Sequence, residues 1–310
     1  MLINKRSGAV FGRLRHGLLA VLLGFAVSPA FAGFSDPVRE AALGFDSGGR
    51  PTVVARINDD QDFVFAVDTA AQRTTLGQDL VATLGLQPDP NERAMAHGAA
   101  GVQELDMYRI PRLEAAGHSV SDGLYMAAAH ESEPGSHSHD GILGQEFFTG
   151  GVLDLDFEAA RMTVSGSPRS RDVSATLPAR LMHGGFVLVD ITINDVRAVA
   201  VIDTGAAESF ANLALQQALD VEAGRDGIEV ERSTLGITQQ ASERLIGFRG
   251  GYDFNGYRVD AAPVSFTQSS IFQVFDLAGT PAVILGMDVL GRMPGLRINY
   301  REPSFQILAP

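Results

Sequence analysis

The 310-residue chain contains no cysteine. That absence excludes disulfides, thiolate metal sites, a Cys nucleophile and a lipid-modified cysteine anchor, so the fold must stand on its apolar core alone. Aromatic residues are also sparse, at 7%, and 34 glycines separate short runs of Val, Ile and Leu. Such a pattern favours many short strands joined by turns. Nucleotide-binding signatures are missing, since neither G-x-x-x-x-G-K nor G-x-G-x-x-G occurs. Basic residues are outnumbered 24 to 37, giving a net charge of −13. Nucleic-acid binding rests on Lys and Arg neutralising phosphates, so an acidic body is a poor partner for it; the charge serves solubility. With 45% hydrophobic and 20% charged residues, a sizeable core can still be buried.

The N-terminus reads as an address. Lys5, Arg6, Arg13 and Arg15 precede an apolar run, Gly17 to Val27, that is short for a membrane span; Ser28-Pro29 breaks it. Ala30-Phe31-Ala32 fits the small-x-small cleavage rule, so residues 1–32 are expected to be a secretory signal peptide cut after Ala32. The first 32 residues carry four cations and no acid, so their removal takes the net charge to −17. A periplasmic or secreted location follows, without stable membrane insertion after cleavage, because no later window is long and apolar enough for a transmembrane helix.

What remains is organised around a repeat. Phe63-Val64-Phe65-Ala66-Val67 runs into Asp68-Thr69-Ala70-Ala71, and Val199-Ala200-Val201-Ile202 runs into Asp203-Thr204-Gly205-Ala206. Upstream of each lie another strand and a turn, Asn58-Asp59 and Asn194-Asp195. Downstream come a short helix, a Gly-containing piece (Gly98 to Gly101; Gly236), an Ile-Leu-Gly (Ile142-Leu143-Gly144; Ile284-Leu285-Gly286) and a closing hairpin. The spacing between copies stays near 135 to 142 residues throughout. An all-β chain with short helices and an internal duplication is expected, in two lobes, 33–172 and 173–310.

The doubled Asp-Thr-[Ala/Gly]-Ala loop with its downstream Ile-Leu-Gly resembles the aspartic peptidases of the pepsin/retropepsin superfamily, and the retropepsin-like branch more closely than the pepsins. The resemblance covers most of the chain after residue 32. It implies a two-lobed, retropepsin/pepsin-like β-barrel fold working as a monomeric pseudo-dimer, with Asp68 and Asp203 as the catalytic pair. It also implies that Thr69, Ala70, Thr204 and Gly205 support the catalytic loops. Two carboxylates at contact cannot both ionise easily, so they share a proton and activate a water between them. A polypeptide substrate is implied, with no cofactor and no metal, and the Gly98 to Gly101 and Gly236 pieces become candidate flaps. Ala70 stands where the second loop has Gly205, and Ala71 and Ala206 offer no hydroxyl to the acids, so a working range less acid than pepsin's is expected. The alternative readings are a catalytically weak or inactive peptide-binding protein on the same fold, and a dimer pairing lobes between chains.

Other residues are weighed and set aside. His130, His137, His139 and Asp140 cluster in a Ser/Pro/Gly-rich stretch, which reads as a loop before it reads as a metal site. Asp154 and Asp156 alternate along a strand, and a solvent-facing pair is expected. Nothing orients Ser209 or His183 into a nucleophilic triad.

Overall fold

The computed structural model describes residues 38–59, 61–98, 101–128, 139–183, 185–235 and 240–310. The expected signal peptide lies outside them. Strand accounts for 55% of the described residues and helix for 9%, so the fold is all-β with few short helices, as the sequence implied.

In the first half, β1 (Arg39–Ala42) and β2 (Gly44–Phe45) precede a hairpin of β3 (Pro51–Ile57) and β4 (Gln61–Val67). Next come β5 (Thr75–Gly77), α1 (Gln78–Thr83) and a long meander of β6 (Pro88–Gly98), β7 (Gly101–Ala115) and β8 (His118–Ala128). It ends with β9 (Gly141–Leu143), a single 3-10 turn (Gln145–Phe147) and the hairpin of β10 (Val152–Asp156) and β11 (Arg161–Ser165). The second half runs through β12 (Val173–Met182), β13 (Phe186–Ile193), β14 (Val196–Ile202), β15 (Phe210–Ala211) and α2 (Leu213–Ala218). There follow β16 (Glu229–Leu235), β17 (Gln240–Ile246), β18 (Arg249–Phe254), β19 (Tyr257–Pro263) and β20 (Ser265–Thr267). The chain closes with α3 (Ile271–Val274), β21 (Ala282–Leu285), α4 (Met287–Leu290), β22 (Gly295–Asn299) and β23 (Ser304–Leu308).

The turns explain one step of the repeat's uneven spacing, from 136 residues between Asn58 and Asn194 to 135 between Asp68 and Asp203. Asn58 and Asp59 take φ of 54° and 63°, and Asn194 and Asp195 take 46° and 64°, left-handed values that Asn and Asp tolerate better than most residues. In the second hairpin Ile193 pairs with Val196, so two residues make the loop. In the first, Ile57 pairs with Gln61, so the loop is one residue longer.

Within each half the strand that leads to the Asp-Thr runs parallel to the Ile-Leu-Gly strand. Val67 pairs with Leu143, and Ile202 with Leu285. The meander differs between halves. In the first, β7 and β8 are continuous from Ala115–His118 to Met107–Met126. In the second, the corresponding path is broken into β17/β18 and β19/β20, with Gly247 at φ 99° between the first pair. β6 begins at Pro88 and is irregular there, its register slipping between Pro88 and Arg93.

The closing hairpins of the two halves meet. The strand order β1-β11-β10-β22-β23-β12 forms one antiparallel stretch, three strands from each half, joined where β10 pairs with β22. Here the expectation for Asp154 and Asp156 is corrected. Both are buried, at 7% and 4% exposure. Asp154 forms a two-pronged ion pair with Arg297 across that central seam, at 2.6 and 2.7 Å. Asp156 pairs with Arg171. The alternation of Asp154 and Asp156 was legible, but a strand covered on both faces is not; buried acids of this kind persist because each has a guanidinium partner.

Candidate active site

Each Asp loop is suspended from its parallel neighbour. Asp68 N–H donates to the Leu143 carbonyl at 3.1 Å, and Asp203 N–H to the Leu285 carbonyl at 3.0 Å. One turn closes each loop, Ala71 N–H to the Asp68 carbonyl and Ala206 N–H to the Asp203 carbonyl, both at 3.4 Å. Asp68, Thr69, Asp203 and Thr204 are completely buried.

The two threonines bind the loops to each other by reciprocal bonds. Thr69 N–H donates to Thr204 Oγ1 and Thr204 N–H to Thr69 Oγ1, each at 3.1 Å. Each hydroxyl in turn donates across the interface, Thr69 Oγ1 to the Ile202 carbonyl at 2.8 Å and Thr204 Oγ1 to the Val67 carbonyl at 2.6 Å. Both threonine N–H groups and both hydroxyls are therefore used across the seam, which fixes the separation of the loops rather than leaving it to packing.

The carboxyl groups face one another across that seam. Asp68 Oδ1 accepts from Ala70 N–H at 2.7 Å. Asp203 Oδ1 accepts from Gly205 N–H at 2.9 Å and Ala206 N–H at 3.0 Å. Among the described residues no side-chain hydroxyl donates to either acid, in line with the alanines at 71 and 206. The outer oxygens, Oδ2 of both, meet no donor among the described residues other than the partner acid. Both acids are pushed above the ordinary carboxylate range. Burial is the first cause for each, and for Asp203 the neighbouring Asp68 charge is the second.

Gly205 and Ala70 behave differently. A Cβ at Gly205 would lie 2.1 Å from Asp68 Oδ2 and 2.2 Å from its Cγ, so glycine is required for the first acid to reach the second loop. Ala70 has a Cβ, and it packs in an apolar cluster of the second half with Phe186, Leu188 and Val201.

Sequence reasoning missed a supporting layer. Behind the first loop, Gln145 N–H donates to the Ala71 carbonyl at 2.8 Å and its side-chain amide to the Thr69 carbonyl at 2.7 Å. Thr74 N–H donates to Glu146 Oε1 at 2.6 Å, and Gly144 N–H to Thr74 Oγ1 at 3.0 Å. Behind the second, Ser209 donates from N–H and Oγ to Asp288 Oδ1 at 3.0 and 2.6 Å, and Gly286 N–H donates to Ser209 Oγ at 2.9 Å. Thr74 and Ser209 each follow their aspartate by six residues, and Glu146 and Asp288 each follow the Leu of Ile-Leu-Gly by three. That matched spacing was the available signal. His183 lies at the β12–β13 turn, where its carbonyl accepts from Gln72 at 2.6 Å.

The candidate flaps fall on two hairpins, β6–β7 and β16–β17. Their tips, residues 99–100 and 236–239 with Gly236, lie outside the described residues. So do His130 and His137 of the His-rich stretch. His139 is buried with Nδ1 3.2 Å from Asp46 Oδ2, and Asp140 Oδ2 accepts from Val64 N–H at 2.8 Å. Both therefore act as structural groups, and among the described residues no cluster of metal-ligating side chains occurs. No helix among them is long and apolar enough to cross a membrane.

No curated protein matches the chain. Residues 53–147 match a family model described as aspartyl protease. That span carries the first Asp loop and its Ile-Leu-Gly, and the second half repeats both, which supports an aspartic peptidase of the pepsin/retropepsin superfamily.

Proposed function

We propose that the chain is an exported aspartic endopeptidase in which one polypeptide supplies both halves of the active site, Asp68 and Asp203. The observation that carries this reading is the facing pair of buried acids whose inner oxygens are held by backbone N–H groups and whose outer oxygens are left to each other.

The chemistry follows from charge. One acid is ionised and the other protonated, because a second charge at contact is costly. The ionised carboxylate takes a proton from a water bound between the outer oxygens. The protonated acid donates to the carbonyl oxygen of the scissile peptide as water attacks its carbon. Collapse of the tetrahedral intermediate expels the amine, which takes a proton from the acid that gained one from water. No residue is acylated. The substrate is an extended polypeptide, laid between the acids and the two hairpins and held by strand-like backbone pairing.

Incubation of an unfolded protein substrate such as casein with the wild type and with Asp203→Asn, from acid to neutral pH, tests the reading. Cleavage by the wild type alone supports it. Equal cleavage by both, or none by either, overturns it in favour of a peptide-binding protein. Export is tested by comparing the N-terminus of the mature protein with the expected start at Gly33.

A further inference from the structure

The two acids are made alike by their loops and unlike by what stands across from them. In the first half β3 and β4 pair Thr52 with Ala66. Carrying that antiparallel ladder two residues further sets Arg50 opposite Asp68. In the second half β13 and β14 pair Leu188 with Val201. The same two steps set Phe186 opposite Asp203. Directly opposed residues of an antiparallel pair share a face, with Cβ atoms about 5 Å apart. The corresponding positions, two steps past the last paired residues, thus hold an arginine in line with one acid, whose charge reaches Asp68, and a phenylalanine in line with the other, in one apolar cluster with Ala206 of its loop.

Both side chains are fixed. Arg50 is 8% exposed, and its Nε lies 2.6 Å from Asp46 Oδ2. Asp46 also accepts from the N–H groups of Gly48 and Arg50, at 2.9 and 3.0 Å, and is met by His139. Phe186 is fully buried and packs edge-on against Phe275 with ring centroids 5.0 Å apart.

We propose that Arg50 divides the labour of the dyad, holding Asp68 as the ionised base that takes the proton from water and leaving Asp203 as the acid that donates to the carbonyl. The proposal rests on the peptidase reading for its catalytic meaning, but its electrostatic content stands on this juxtaposition alone. A cation near a carboxylate favours the charged form, and an apolar wall favours the neutral one. The groups facing Asp68 are Asp203 from the second loop, Arg50 before β3 and the buried Tyr300 after β22, whose hydroxyl is raised by burial and then by the Asp68 charge. The groups facing Arg50 are Asp46 and His139. Burial lowers the tendency of His139 to carry charge, so Asp46 is the anion that balances Arg50. Within that pair it is Arg50's charge that reaches Asp68, in the direction that favours ionisation.

The test is a carboxyl titration by NMR with ¹³C-labelled aspartate, which needs no turnover. The two dyad resonances are assigned by their loss in Asp68→Asn and Asp203→Asn. In the wild type Asp68 is expected to ionise first. In Arg50→Met its ionisation should move up by about one pH unit, and Arg50→Lys, which keeps the charge, should restore most of it. If the protein cleaves peptide, the acid limb of kcat/KM moves by the same amount in Arg50→Met, which a merely structural role would not cause. Ionisation of Asp203 ahead of Asp68 in the wild type overturns the proposal even if Arg50→Met fails to fold. An Arg50→Met protein in which Asp68 titrates unchanged overturns it too. A titration that behaves as expected in a protein without turnover retires the peptidase reading and leaves the electrostatic assignment standing.

Discussion

Gly205 and Ala70 occupy one place in two copies of the same loop, two residues after the acid. In the second half that place must be empty, because the Asp68 carboxyl fills the space a Cβ would need. In the first half it holds a methyl group buried among Phe186, Leu188 and Val201. The surroundings differ in the same sense. The first loop adjoins a small cluster with Ala71, Ala96 and Ala128, while the second adjoins Phe186, Phe210, Phe272 and Phe275. A duplicated unit has kept the bonds that join its copies and changed the packing around them. Reciprocity is kept in the Thr69 and Thr204 bonds and lost one residue further on, where Ala70 packs into the second half and Gly205 makes room for Asp68 of the first.

The largest expected effect tests what the halves share. Asp68→Asn and Asp203→Asn should each lower kcat by about 10³-fold or more, since either leaves the dyad without its acid–base partner. An assay of both against one peptide checks this, and a variant that keeps most of its kcat would remove its acid from the dyad. The wild-type rate should rise only at a pH above that where ordinary carboxylates titrate, because burial raises both acids; a maximum near pepsin's strongly acid range would contradict the geometry. The same raised acids carry a stability cost of known sign. The folded state binds protons that the unfolded chain has released, so stability falls as pH rises above about 4. Asp203→Asn should therefore raise the neutral-pH Tm while abolishing turnover.

The next effect tests where they differ. Gly205→Ala should cost about 10²-fold in kcat/KM, as the methyl group displaces Asp68 from its partner. Ala70→Gly should change it by no more than a few-fold, since it removes only a packed methyl. Equal losses would mean that the two positions are equivalent after all. A smaller effect returns to the shared seam. Thr69→Val and Thr204→Val each strand a buried N–H of the other loop and should each lower unfolding free energy by about 1–3 kcal/mol, measured by denaturant titration.

Much of this was legible. The Asp-Thr pairs, the Ile-Leu-Gly strands and the Asn-Asp turns are local, and duplication turned each weak signal into a strong one. What could not be read depended on contacts between distant segments. The burial of Asp154 follows from Arg297, 143 residues away and opposite it across the joint sheet. Gln145 looks like an ordinary polar residue after a glycine until its amide is seen on the Thr69 carbonyl. Arg50 gave a clue that went unused: Gly48-Gly49 precedes it as Gly184-Gly185 precedes Phe186, at the same offset as the turns. The repeat was visible there, but the consequence of an Arg in one copy and a Phe in the other needed the ladder register.

The smallest expected effect concerns the acids behind the loops. Glu146 and Asp288 are matched, and burial raises both above the usual range, but their partners are unequal. Asp288 Oδ1 accepts two bonds from Ser209. Glu146 is met by the N–H and the hydroxyl of Thr74 and by the charge of Arg73, but it is the more deeply buried of the two, and its Oε2 has no donor among the described residues. An acid raised on folding destabilises the folded state as pH climbs past its unfolded value, and the less compensated acid does so more. Glu146→Gln should thus flatten the fall of Tm between mildly acid and neutral pH by about 2–4 °C, and Asp288→Asn by less. If Asp288→Asn flattens it more, the shared Ser209 bonds do not hold the charge as their geometry implies, and the first half is the better-compensated copy.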